Sequence, residues 1–422
     1  MRQKYVKARG FWLDRKQLLY VIFAEEEKMM ENLFDIAVQR RDIGNMRTHI
    51  EEGMPEGTII LEGAEMDYAT APVIRKRLAA FAENGIYGYT LADDAYRKSV
   101  CWWMKQMRHL QIHEDEICPT HGTIFGLSTA VRAFTKPGEG VLIQHPSYYR
   151  FDRAIVRNGR TVISNPMVER KGVYTLDFED MERKMAEEKP RMMVLCNPHN
   201  PVGRVFGKKE LERIAELAQM YSVLVFCDEI FAETAIEGVE MVSFAEIAPH
   251  ISVVSTSLGK SFNFTGVNHA NLLIKNRQLR ERYEQQKEIE HFGSMDPFFY
   301  TAVRAAYSPE GAQWIRRMNQ HTWENYCFLR DSLRREIPKI GISPLEGTFV
   351  AWMDLRALHL RDEQLHTFFR EEVKVLGDLG QEYGTGGNGF MRFNLATPRK
   401  NIEIFAERLI RACKSRLTAL SL

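Results

Sequence analysis

The stretch SVVSTSLGKSFN, Ser252 to Asn263, decides how this chain is to be read. A β-branched, apolar run (SVVSTS, Ser252 to Ser257) passes without a spacer into small and hydroxylated residues around one lysine, Lys260. That is the pattern of a buried strand ending in a polar cluster. Two similar junctions precede it. Strand-like MMVLC (Met192 to Cys196) runs into NPHNPVG (Asn197 to Gly203), and strand-like LVFC (Leu224 to Cys227) runs into DEIF (Asp228 to Phe231). Further upstream, HGT (His121 to Thr123) opens a helical stripe of Ile124, Leu127, Val131 and Phe134, followed by a short strand, Val141 to Gln144. A second helical stripe, Leu211, Ile214, Leu217 and Tyr221, separates MMVLC from LVFC. Asn200 to Asp228 spans 28 positions (228 minus 200) and Asp228 to Lys260 spans 32 (260 minus 228), each about one helix plus one strand. The alternation predicts parallel strands joined by helices, an α/β sheet whose four polar clusters gather in the crevice beyond the carboxyl ends of its strands.

After Pro297 the pattern changes to long charged helices, Trp314 to Glu336 and Asp362 to Val373, with strand-like FVAWMDL and FMRFNLA between and after them. This reads as a second, α+β domain. A length of 422 residues suits two domains sharing a cleft. The expected division is an N-terminal segment over 1–65, its later part packing on the small domain, a large domain over 66–300 and a small C-terminal domain over 301–422. The opening segment is charged, has no clear period and contains EEEKMM. A purine-rich ribosome-binding sequence reads as Glu-Glu when translated, so a natural start at Met29 or Met30 is one expectation, checked by the intact mass of the native protein.

Composition excludes several classes. Lys plus Arg total 57 against 56 Asp plus Glu, and a net charge of +1 gathers neither nucleic acid nor an anionic membrane surface. The apolar stretch Leu18 to Ala24 is too short to span a bilayer and is followed by Glu25, Glu26 and Glu27, which is not a signal-peptide pattern. Six cysteines without a CxxC pair argue against a zinc ribbon or a secreted disulfide framework, and so for a reducing cytoplasm, with Cys196 and Cys227 as buried bystanders. GTGGNG (Gly384 to Gly389) matches a dinucleotide fingerprint in letters only, because a strand follows where that motif needs a helix. It reads as a flexible loop ahead of Arg392. His109 and His113, four apart on a possible helix, lack a third metal ligand, and no metal is expected.

The four clusters in this order resemble the fold type I pyridoxal 5'-phosphate (PLP) enzymes, the aspartate aminotransferase superfamily, over roughly Met66 to Pro398. EMDYATAP (Glu65 to Pro72), GYT (Gly88 to Thr90), KSFN and FMRFNLATPR (Phe390 to Arg399) look most like the MalY/PatB group of cystathionine-type carbon–sulfur β-lyases. The resemblance implies an α/β fold of that type, a large domain with a mostly parallel central sheet and a smaller α+β domain. It implies that Lys260 carries PLP and moves the Cα proton, that Asp228 faces the pyridine nitrogen, and that Asn200 donates to the phenolic oxygen. A buried carboxylate favours protonation of a cationic partner, which is what the ring nitrogen needs. Gly122, Thr123, Ser255 and Ser257 would hold the phosphate at a helix start. Tyr148 would stack on the ring, Tyr89 would reach the cofactor of a neighbouring subunit in a homodimer, and Arg392 would take the α-carboxylate of a small amino-acid substrate.

Two positions depart from the wider pattern. Phe231 stands where the family generally has a tyrosine or histidine donor near the phenolic oxygen, and Asn268 where many relatives carry a phosphate-pairing arginine. The implied reaction is elimination from a cystathionine-like or S-substituted cysteine to pyruvate, ammonia and thiol. An aminotransferase using the same lysine is the second reading, and a binding or regulatory protein that keeps the fold without turnover is the third.

Overall fold

Seven short segments, six of them carrying β-branched or sulfur-bearing residues, build the central sheet: β1 (Ile117–Thr120), β2 (Gly140–His145), β3 (Thr161–Pro166), β4 (Met192–Cys196), β5 (Leu224–Asp228), β6 (Ser252–Thr256) and β7 (Ala270–Leu273). The computed structural model describes residues 5–8, 11–14, 32–40 and 43–419; the proposed starts at Met29 and Met30 lie outside them. The strand order is β1-β7-β6-β5-β4-β2-β3. β3, β2, β4, β5 and β6 run parallel, and only β7 is reversed, pairing antiparallel with β6 and β1. The mostly parallel α/β sheet is therefore as expected. Parallel strands need both faces covered, and side-chain alternation supplies two buried sets. Leu142, Met193, Leu195, Val225 and Cys227 face one cluster. Val141, Ile143, Val194, Cys196 and Phe226 face the other, with Leu127 and Val131 of α1 (Thr123–Phe134). Cys196 and Cys227 are thus buried on opposite faces.

A second sheet orders β8 (Gly341–Ile342), β9 (Val350–Asp354), β11 (Phe390–Asn394) and β10 (Asp378–Leu379), all antiparallel. Met353, Met391 and Phe393 bury against Leu329 and Leu333 of α2 (Pro309–Glu336) and Phe405 and Leu409 of α3 (Arg399–Ala419). α2 begins five residues earlier than its periodicity predicts, because Ser308 accepts from Gly311 N at 3.2 Å and Pro309 occupies the first turn, where no N–H partner is needed. The helix expected over Asp362 to Val373 is instead an α-helix to Thr367 followed by a π turn, Phe368–Val373, whose wider register lets both Phe368 and Phe369 reach the core. Ile59–Ile60 pair with Val375–Leu376. In the opening segment, where no strand period is evident, Tyr5–Ala8 pairs antiparallel with Phe11–Asp14.

Two expectations are corrected. His109 and His113 do not share a helix: His109 ends the helix Asp94–Arg108 in a left-handed conformation (φ 49°), and His113 precedes a separate turn. GTGGNG is a packed loop rather than a flexible one. Gly384 has φ 82°, and a Cβ there would lie 2.7 Å from the His145 ring. Gly384→Ala should cost about 2 kcal/mol or more, through backbone strain and overpacking together, measured as a lower midpoint in chemical denaturation. An unchanged midpoint would show that the loop yields. No helix among the described residues is long and apolar enough to cross a membrane.

Candidate functional site

Register places the site before any side chain is considered. Cys196, Asp228 and Ser255 are cross-strand neighbours on three parallel strands, so Asp228 and Ser255 emerge side by side at the carboxyl ends of β5 and β6. Alternation then separates Asp228 from Glu229. Glu229, fully buried, forms an ion pair with Arg108 and accepts from Phe244 N at 2.7 Å. Asp228 is 3% exposed and, among the described residues, has only the Ile230 N–H, at 3.2 Å, as a donor. Burial raises its carboxyl to about 7, against the opposing pull of that N–H and of Lys260.

Lys260 follows β6 in a one-turn helix, Leu258–Ser261, capped by Ser257. Its Nζ donates to Ala64 O at 2.7 Å and lies 5.9 Å from the centre of the Phe231 ring. Burial lowers the amine to about 8; Arg392 pushes the same way, and Asp228 opposes. An amine near 8 is a usable base at neutral pH, which an ordinary lysine is not.

The anion-binding end is built around the start of α1. Gly122 has φ 87°, open to glycine, and the backbone of Asn268 and His269 passes within 4 Å of where a Cβ would stand. Thr123 Oγ1 and Ser255 Oγ are 2.8 Å apart, beside the first N–H groups of a twelve-residue helix. Ser257 is turned differently: its hydroxyl donates to His269 O at 2.7 Å and accepts from Gly259 N at 3.1 Å. Asn268 thus borders this end without bringing a cation to it.

NPHNPVG forms a tight turn after β4. His199 N donates to Arg204 O at 2.7 Å, and Gly203 N to His199 O at 2.8 Å. Asn200 is 5% exposed, and its Oδ1 accepts from Arg392 Nη1 at 2.9 Å, which leaves its two amide N–H groups as remaining capacity. Arg392, on β11, is 3% exposed and lies over the Tyr383 ring at 5.1 Å. Asp378 Oδ2 accepts from its Nε at 3.0 Å and from Nη2 at 2.7 Å. Of five guanidinium N–H groups three are so engaged, and the remaining two, one on each terminal nitrogen, form an end-on fork matched to a carboxylate.

Tyr148 is half-buried next to Phe151, and burial raises its hydroxyl; Arg392 and Asp228 are both close enough to act on it. Phe231 is buried against Phe349 and has no donor to offer. Tyr89 is 99% exposed in the single chain, with Ile86 and Leu91 exposed beside it.

Sequence reasoning passed over the segment from Glu62 to Tyr68 as part of the site. Asn263 donates to Met66 O and Tyr68 O and accepts from Met66 N, while Asn394 donates to Glu65 O at 2.6 Å. These contacts hold Ala64 O against Lys260. Asp378 was also missed, although its place in β10 opposite Arg392 would follow from pairing the two strands.

The family model described as aminotransferase class I and II matches residues 58–409. The chain is 32% identical over 334 residues to the cystathionine beta-lyase PatB of Bacillus subtilis, covering 78% of this chain and 86% of that one. It is 29% identical over 354 residues to protein MalY of Escherichia coli, covering 83% and 90%. Cystalysin from Treponema denticola, whose crystal structure contains a PLP cofactor, superposes with a TM-score of 0.85 at 30% identity over 90% of this chain and 98% of that one.

Proposed function

Because the chain belongs to the class I and II aminotransferase family, we propose that it binds PLP on Lys260 and cleaves the carbon–sulfur bond of a cystathionine-like or S-substituted cysteine. The residues fit the cofactor on three counts: hydroxyls and free helix N–H groups at one end, a buried carboxylate with spare acceptor capacity at the other, and an amine of lowered pKa beside them. When bound, PLP supplies a ring that accepts the electron pair left at Cα.

The protein's own groups do the rest. The end-on fork of Arg392 holds the α-carboxylate and so fixes the direction of the Cα–H bond. The Lys260 amine takes that proton. Asp228 keeps the ring nitrogen protonated, and Asn200 donates to the phenolic oxygen while tying the cofactor end to Arg392. Thr123, Ser255, Gly122 and the start of α1 receive the phosphate, with Ser257 setting the turn that carries Lys260; Tyr148 packs on the ring. In sum, substrate and water yield thiol, pyruvate and ammonium.

What supports elimination over amino transfer is the likeness, over most of both chains, to a protein named as a cystathionine beta-lyase. The test is to incubate the PLP-loaded protein with L-cystathionine, with and without a 2-oxo acid. Pyruvate and thiol in equal amounts without the acceptor are expected. Acceptor-dependent amino transfer without thiol would overturn the lyase in favour of an aminotransferase.

A homodimer with shared sites, a cytoplasmic setting and the division into 1–65, 66–300 and 301–422 belong to the same proposal. The exposed Ile86, Tyr89 and Leu91 support a second copy covering that surface. Sedimentation is expected to give a dimer, and Tyr89→Phe to weaken PLP retention.

A further inference from the structure

Arg392 shares its sheet with a carboxylate that the reaction does not require. Asp378 is its cross-strand neighbour. The single oxygen Oδ2 accepts from Arg392 Nε at 3.0 Å, from Nη2 at 2.7 Å and from Gly63 N at 3.0 Å. The Arg392 side chain is buried, at 4% exposure, and that of Asp378 mostly so, at 11%. Three donors on one oxygen leave the carboxylate no second pose, and the pairing in turn leaves the guanidinium only its end-on edge. Glu62 and Glu382 stand nearby and, with Asp378, line a cavity of about 350 Å³. Burial raises the Glu62 carboxyl to about 7, and Asp378 and Glu382 push it the same way. The anchoring arginine therefore has three carboxylates on this side, Asp378, Glu62 and Glu382, with Arg47 and Arg153 acting on the outer two.

We propose that Asp378 is a specificity-determining positioning residue: it aims the free edge of Arg392 into the crevice and cancels its charge, so that the site prefers amino acids with cationic or neutral side chains to those ending in a second carboxylate. The proposal rests on the reading of Arg392 as the α-carboxylate anchor. A substrate carboxylate on the fork is then held by bidentate geometry more than by net charge. The far end of a short S-substituted cysteine stays within ~8 Å of its own α-carboxylate, and so within roughly 12 Å of Asp378 on the other side of the guanidinium. A charge at that range changes affinity roughly threefold, its sign deciding the direction, so that opposite charges differ roughly tenfold.

The test compares S-(2-aminoethyl)-L-cysteine with S-carboxymethyl-L-cysteine on the full-length, PLP-loaded protein. Dissociation constants are read from the change in cofactor absorbance, and KM and kcat from thiol release. The wild type should favour the aminoethyl compound by roughly tenfold. Asp378→Asn, which keeps an oxygen for Arg392, should erase most of that preference, through KM and not kcat. Glu382→Gln, at the exposed edge of the cavity, should move the ratio the same way by a smaller factor. No preference in the wild type, or an unchanged ratio in Asp378→Asn at equal cofactor content, would overturn the proposal. Should Asp378→Asn fail to fold, an unchanged ratio in Glu382→Gln overturns it. If neither compound releases thiol but the dissociation constants shift as stated, the lyase reading fails and the role of Asp378 stands.

Discussion

Lys260→Ala should lower kcat/KM by at least about 10⁴-fold, because on the proposed mechanism one substitution removes both the residue that carries the cofactor and the base that takes the Cα proton. Among the groups that act on Lys260, Arg392 and Arg150 are cations, Asp228 on the proposed mechanism faces the ring nitrogen, and Glu65 is the other carboxylate. The variant should also lose PLP on gel filtration while the wild type retains it. Pyruvate formation and absorbance of the eluted protein measure the two effects, and a variant keeping more than a tenth of wild-type activity would remove Lys260 from the mechanism. The Ala64 carbonyl then lacks the amine it accepts from at 2.7 Å, a loss of about 1 kcal/mol. An effect on folding of that size cannot account for a 10⁴-fold loss of turnover.

Asp228→Asn should lower kcat by about 10² to 10³, the usual cost of removing a fixed charge from a developing one in a dry site. Its effect on the cofactor-free protein should have the opposite sense. The carboxyl is raised from 3.8 to about 7 on folding, mainly by burial. The folded chain thus binds the proton more tightly than the unfolded chain. Stability associated with Asp228 is complete below pH 3.8 and is lost as pH rises through about 7. The loss reaches up to about 4 kcal/mol above that window. Asparagine removes the titration, so cofactor-free Asp228→Asn should melt higher than the cofactor-free wild type at pH 8 and at the same temperature near pH 4. Equal melting at pH 8 would show that the Asp228 charge is compensated in the folded chain. A gain in stability with a loss of activity marks a group retained for chemistry.

Much of this was legible in the chain because the site is local to strand ends. MMVLC and LVFC announce β4 and β5 by composition, and NPHNPVG and DEIF follow them directly, so Asn200 and Asp228 could be located from two adjacent words each. Arg392 was legible as a charge inside an apolar strand. The partners of these residues were not. Ala64 meets Lys260 across 196 positions, and Asn394 meets Glu65 across 329. Such contacts depend on how the two sheets close on the segment Glu62 to Tyr68, which no periodicity records. GTGGNG misled in the other direction: a glycine-rich string looks mobile in sequence, yet Gly384 is there because the His145 ring leaves no room for a Cβ. Likewise the helix ending at Arg108 looked continuous through His113 because its left-handed exit falls on His109 and not on a glycine that would have marked the stop.

The split of Asp228 and Glu229 to opposite faces of β5 bears on how this activity could be moved to another scaffold. The buried Arg108–Glu229 pair and the Phe244 N–H grip the strand from behind, while the crevice side presents Asp228. A graft that copied the visible front alone would let the strand slide by one residue, presenting Cys227 or Glu229 in place of Asp228. A transplant should therefore carry Arg108 and Ser243–Phe244 with it, so that the portable unit of this chemistry is a strand with its rear fastening, larger than the set of groups that would touch the substrate.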